Sequence, residues 1–221
     1  MPSNKQNLTP EFFDRDPQSV AKELLGKLIQ VKHDNQLLSA QIIETEAYYI
    51  DDKASHASLG FTTKRQALFM PPGTIYMYYA RGGDSLNFSC RGEGNAVLIK
   101  SAIPFPQEPA MIEKMQQLNP HPSINPRPVH KLCSGQTLLC KSLHLKVTDW
   151  DAKSIAEDNF DVVSQGYFPK KIIQTTRLGI PVGRDEHLPY RFIDYDYACF
   201  CSSNPLTKRN WIEGRDFRIY Q

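Results

Sequence analysis

No apolar run in this 221-residue chain approaches the roughly 20 residues a membrane-spanning helix needs, so a helical membrane protein is excluded first. No basic stretch followed by an apolar core opens it, and MPSNKQNLTPEFF lacks the Arg-rich, amphipathic look of a transit peptide. Neither sign of charge dominates: 26 Lys and Arg against 24 Asp and Glu leave +2 at pH 7, which permits an acidic partner without pointing to one. No C-x-x-C pair occurs. The five cysteines (Cys90, Cys133, Cys140, Cys199, Cys201) are odd in number and unevenly spaced, which suits a reducing compartment better than a disulfide framework. His130 and Cys133 lie close together, but without tighter ligand spacing they do not make a zinc site. There is no internal repeat and no low-complexity tract. The expectation is a soluble cytoplasmic chain, nucleoid-associated if bacterial, with no metal, no cofactor and no membrane partner. An apolar fraction of 40% and a charged fraction of 23% fit a globular core, and the length is read as one domain over residues 1–221.

What is present reads as a mixture of hairpins and separate helices. In RDPQSVAKELLGKLIQV, Asp16 is a candidate N-cap and Pro17 takes the first helical position. Val20, Ala21, Leu24 and Leu25 share a face, and Gly26 stops the helix before a strand from Leu28 to Val31. The polar cluster HDNQ predicts a hairpin into a strand over about residues 40–49. FMPPGTIYMYYARGGDSLNFSCRGEGNAVLIKSAIP predicts two or three strands joined by glycine-containing turns. QEPAMIEKMQQLN predicts a helix, ended by the four prolines of NPHPSINPRP. LCSGQTLLCKSL predicts another, with Ser134 or the Ser-Gly pair at its start. PYRFIDYDYACFCSS predicts strand-like alternation. This order of elements argues α+β rather than a doubly wound sheet.

The chemistry concentrates in IIETEAYYIDDKASHAS. At period two, Ile42, Glu44, Glu46 and Tyr48 fall on one strand face and Ile43, Thr45, Ala47 and Tyr49 on the other, with His56 just beyond. Exposed glutamates on an edge strand are the ordinary reading of that pattern alone. A second aromatic strand changes the balance: in TIYMYY, Thr74, Tyr76 and Tyr78 share a face opposite Ile75, Met77 and Tyr79. Tyrosine faces plus a histidine form a slot for a flat, apolar-faced ligand such as a nucleobase, with a carboxylate at its edge.

ETEAYY with His56 downstream, FMPPGTIYMYY, LNFSCRGEGNAVLIK and LCSGQTLLCKSL occur in one order, accompanied by EFFDRDPQSVAKELLGKLI, TTRLGIPVG and PYRF. Together they resemble the alkyladenine (3-methyladenine or methylpurine) DNA glycosylase family over almost the whole chain. The resemblance implies an α+β domain with a curved, mainly antiparallel sheet flanked by helices and a protruding, DNA-inserting hairpin. It implies a monomeric, monofunctional enzyme of base excision repair. Such an enzyme acts on damaged purines in double-stranded DNA, of the 3-methyladenine, 7-methylguanine, hypoxanthine and ethenoadenine class. Glu46 would be the general base that activates water. Tyr48 and His56 would contact one side of a flipped purine and Tyr78 the other. Asn87 would exclude the 2-amino group of guanine and Leu98 would line the pocket. Glu44 would be structural.

The chain departs from the family pattern at three points. His56 comes one residue early relative to the tyrosine. Lys100, thirteen residues after Asn87, stands where vertebrate-type members place an arginine near the catalytic water, exchanging a planar fork for a point charge. At the hairpin tip, where the family often carries a tyrosine, this chain has Ala80 and Arg81 after Tyr79. Arg81 is the candidate wedge. Two other readings compete: a nucleoside hydrolase acting on free nucleosides, and a non-catalytic nucleic-acid-binding module on the same scaffold.

Overall fold

Asp16 begins the main N-terminal helix as its residue type predicts, accepting hydrogen bonds from the backbone N–H groups of Gln18 and Ser19 at 3.0 and 3.1 Å. The computed structural model describes residues 5–221 other than Arg81, Asn125 and Ala156. Strand β1 (Gln6–Asn7) and a single helical turn, α1 (Pro10–Phe13), precede this helix, α2 (Pro17–Leu24). Gly26, at φ 82°, turns the chain into β2 (Leu28–His33). Asp34 and Asn35, at φ 48° and 60°, make the expected two-residue hairpin into β3 (Gln36–Tyr48).

The glycine-punctuated stretch resolves into three strands, β4 (Ile75–Ala80), β5 (Gly83–Ser89) and β6 (Ala96–Pro104). Helices α3 (Pro109–Leu118), α4 (Gln136–Ser142) and α5 (Val147–Trp150) follow. Strands β7 (Phe160–Ser164), β8 (Ile172–Thr175), β9 (Arg191–Asp194) and β10 (Phe217–Tyr220) complete the described elements.

All ten strands among the described residues join one antiparallel sheet ordered β1-β7-β2-β3-β6-β5-β4, with β9, β8 and β10 branching from β3. The fold is α+β, as the element order predicted. Strand β3 is the trunk: β2 pairs with residues 36–41 and β9 with 44–46 on one side, while β6 runs along the other. Helix α2 packs against β3 and β6, and Val20, Ala21 and Leu24 join Ile42, Ala47, Val97, Ile99 and Phe88 in one dry core. Burial of each large apolar side chain there stabilises the fold by roughly 1.5–3 kcal/mol.

Two local expectations need correction. Strict alternation along β3 breaks at Ile43, where the register with β6 shifts by one residue; it shifts back at Lys100, so Ile42 pairs with Ala102, Glu44 with Ser101 and Thr45 with Ile99. Ile42 therefore joins the same core as Ala47 instead of sharing a face with Glu46. Helix α4 does start at the Ser-Gly pair: its cap is Gly135 at φ 107°, whose N–H donates to the Ser101 hydroxyl at 3.1 Å. Strand-like alternation in PYRFIDYDYACFCSS lasts only through Asp194, because its carboxylate accepts from the Asp196 N–H and starts a 3-10 helix, Tyr195–Phe200.

Candidate active site

One cross-strand row assembles most of the site. Glu46 on β3 faces Leu98 on β6, Leu98 faces Asn87 on β5, and Asn87 faces Tyr76 on β4. Directly paired residues in an antiparallel ladder project to the same face, so four distant sequence motifs meet without any loop positioning them. Tyr78, opposite Ser85, and Tyr48, opposite Ala96, extend the row. Above this face lies a cavity of about 610 Å³, lined by Tyr48, His56, Tyr76, Tyr78, Asn87 and Lys100 among others. That size suits a small ring system.

Glu46 sits behind the lining, not in it, and is fully buried. Its Oε2 accepts from the Tyr48 hydroxyl at 2.7 Å. Its Oε1 lies 3.5 Å from Lys100 Nζ, beyond ordinary hydrogen-bond length, and accepts no hydrogen bond among the described residues. Lys100 Nζ donates instead to Gln136 Oε1 at 3.3 Å, and Gln136 Nε2 donates to the Ser85 hydroxyl at 2.8 Å. The register shift at Lys100 matters here: it leaves both Lys100 and Ser101 on the side of the sheet away from α2. A bulge re-aims side chains in this way beside many active sites.

Glu44 has a different environment. Its carboxylate accepts from Ser101 Oγ at 2.6 Å, the Ser202 N–H at 3.0 Å and Arg191 at 3.2 Å, with Ser101 and Arg191 fully buried. Every oxygen is committed, which marks a structural group.

The aromatic lining is equally specific. His56 Nδ1 is 2.8 Å from the Tyr76 hydroxyl, and its ring meets Tyr78 edge-on with centroids 4.4 Å apart, so His56 and Tyr78 touch each other directly. Burial, with the nearby Arg65 and Arg184 charges, pushes the His56 imidazole below its ordinary range and favours the neutral ring. Burial beside Glu46 pushes the Tyr48 phenol well up, so it stays a donor. Asn87 is buried, with Nδ2 donating to the Tyr76 carbonyl at 3.0 Å.

At the β4–β5 hairpin, Tyr79 points away from Tyr78 and is 70% exposed, with Ala80 beside it. A Cβ at Gly83 would collide with Thr137, so glycine there lets the hairpin seat against α4. Arg81, the expected wedge, lies outside the described residues.

Sequence reasoning missed Arg177. Its guanidinium pairs with Asp52 through both nitrogens, donates to the Ala47 carbonyl at 3.2 Å and lies 4.5 Å from the Tyr48 ring centroid. The arginine stood in TTRLG, but its partner is 125 positions away and nothing local links the two. Gln136 and Ser85 were missed for the same reason.

A buried carboxylate beside an ammonium thus lies behind a cavity walled with aromatic rings. Residues 11–198 match the model of the methylpurine-DNA glycosylase family. The chain is 58% identical over 213 residues to a Pseudomonas fluorescens protein named "Putative 3-methyladenine DNA glycosylase", covering 95% of this chain and 92% of that one. Proteins of the same name from Pseudomonas aeruginosa and Koribacter versatilis are 55% identical over 215 residues (96% of this chain, 90% of that one) and 32% over 188 (82% and 86%). The chain belongs to the methylpurine-DNA glycosylase family, whose members are hydrolases of N-glycosyl bonds in DNA repair.

Proposed function

We propose that the chain acts as one monomeric, monofunctional domain that flips a damaged purine out of duplex DNA and hydrolyses its glycosidic bond with a water activated by Glu46. The observation that carries this reading is the buried Glu46 Oε1, without a hydrogen bond among the described residues and 3.5 Å from Lys100, directly behind the aromatic cavity. Tyr48 holds Oε2, so Oε1 is the oxygen left to accept a proton. The water oxygen bonds to the sugar C1′, its proton passes to Oε1, and the C1′–N electron pair leaves with the purine. The product is a free base and an intact abasic strand.

A single essential carboxylate suffices for a cationic lesion. Inverting glycoside hydrolysis normally needs an acid as well as a base, but an N-alkylated purine such as 3-methyladenine leaves as a neutral molecule. In this reading the purine stacks between Tyr48 and Tyr78, whose π-faces attract a cationic ring, while His56 offers its edge. Asp52 neutralises Arg177 behind Tyr48, so the guanidinium does not repel the incoming base. Neutral His56 adds no repulsion either. Asn87 and Leu98, adjacent in the row, set the fit of the purine edge. Tyr79, Ala80 and Arg81 meet the DNA at the hairpin, which fills the gap in the base stack.

The test is incubation with duplexes bearing 3-methyladenine, 7-methylguanine, hypoxanthine or ethenoadenine, and with the corresponding free nucleosides. Free base from 3-methyladenine duplex, an unbroken strand and inert nucleosides are expected. Release from nucleosides at a comparable rate would make the protein a nucleoside hydrolase instead.

A further inference from the structure

Lys100 lines the cavity beside Glu46, as Tyr48 does, but its position is not set by Glu46. An ammonium free to choose would close on a buried carboxylate to about 2.7–2.9 Å. Here the separation is 3.5 Å, and the hydrogen bond goes to Gln136 Oε1. Gln136 is itself fixed: its Nε2 donates to Ser85, a fully buried residue. Its backbone is fixed too, because Gly135 N–H is tied to Ser101 and through it to Glu44. The amide has both ends engaged and no freedom to follow the lysine.

We propose that Gln136 is a positioning residue that holds the Lys100 ammonium off Glu46 Oε1, keeping that oxygen open to a water entering from the cavity. Without the amide oxygen, Lys100 swings onto Glu46 and occupies the acceptor the water needs. This inference rests on Glu46 being the general base.

The test is single-turnover excision of 3-methyladenine from duplex by Gln136→Leu, Gln136→Glu and Glu46→Gln, with pH–rate profiles, and by Gln136→Leu in a Lys100→Met background. The groups facing Glu46 are Tyr48 on its own strand, Lys100 from β6, Tyr78 from β4 and Arg177 from the segment after β8. The leucine releases Lys100. Gln136→Leu is expected to slow excision on the order of tenfold or more, the scale of small displacements at a reacting centre. Its acid limb is expected to move to lower pH, because a closer cation favours the ionised carboxylate. Gln136→Glu restores an acceptor for Lys100 and should recover most of the rate. In Lys100→Met the leucine should cost nothing further. Losses that multiply in that background, an unmoved acid limb, or a Gln136→Leu enzyme as fast as the parent would each overturn the role of Gln136. Near-normal excision by Glu46→Gln would overturn the general-base reading itself, whatever Gln136 does.

Discussion

Two glutamates two residues apart, both fully buried, have opposite hydrogen-bond accounts, and that difference predicts opposite phenotypes. Glu44 serves Ser101, Ser202 and Arg191, whereas Glu46 keeps Oε1 unmatched. Glu46→Gln should therefore fold and bind damaged duplex normally while excision falls on the order of a hundredfold or more. Glu44→Gln strips the buried Arg191 of its counter-charge, and breaking such a pair costs about 3–5 kcal/mol. Thermal denaturation should show a large loss for Glu44→Gln and little for Glu46→Gln. Single-turnover rates on the folded fraction should show the reverse, and matching profiles for the two variants would mean the carboxylates are wrongly assigned. The sequence placed both glutamates on one face with Tyr48 but could not rank them by residue type. The partners that set Glu44 apart, Ser101, Ser202 and Arg191, come from regions tens to more than a hundred positions away.

Elements with local instructions formed where their sequence said. Asp16-Pro17 started α2, Asp34-Asn35 closed the first hairpin, and TIYMYY put Tyr76 and Tyr78 toward the cavity and Ile75 and Met77 into the core. Tyr79 follows the same alternation out to solvent on the hairpin. Because it packs against little, Tyr79→Ala should change stability by no more than about 0.5 kcal/mol. If the hairpin enters the duplex, the same variant should slow excision from matched duplex more than from a lesion opposite a mismatch, where flipping is easier. An equal rate on both substrates would remove Tyr79 from the DNA contact.

The 3-10 helix after β9 was missed because its signal is one side chain, Asp194, acting on the backbone two residues on. Burial raises that carboxyl to about 6, against an ordinary value near 3.8. The folded state therefore binds more protons than the unfolded state between those values. The stability this confers is complete below about pH 4 and is lost as the pH rises through 6. Asp194→Asn should gain in melting temperature relative to the parent from pH 4 to pH 7, and a gap constant with pH would contradict the sign.

At the scale of the whole molecule, β3 is held on both edges along most of its length, while β1 and β10 lie at the margins and are largely exposed. Opening free energies follow such coverage. Hydrogen exchange should find the amides of residues 43–47 among the slowest in the chain and those of β1 and β10 among the fastest. Comparable rates would mean the branch β9-β8-β10 and the main sheet open together. This branching was not legible in the sequence, because alternation shows which residues share a face and says nothing of which strand lies alongside.

The two register shifts between β3 and β6 are equal and opposite, so they act as a matched pair of dislocations: the ladder is in phase above and below, and out of phase only at Glu44 and Ser101, between the extra residues Ile43 and Lys100. Removing Ile43 alone would leave Ile42, Thr45 and Ala47 on the core face by plain alternation, but would strand the extra residue Lys100 on β6 as a single uncompensated bulge against a shortened β3. Such a chain should lose stability. Removing Ile43 and Lys100 together annihilates the pair and restores an uninterrupted ladder, so the double deletion should recover much of the lost stability as read by denaturant titration. It should do so without activity, since the stretch of chain that the defect lets bulge out is the one that carries Lys100 to Glu46.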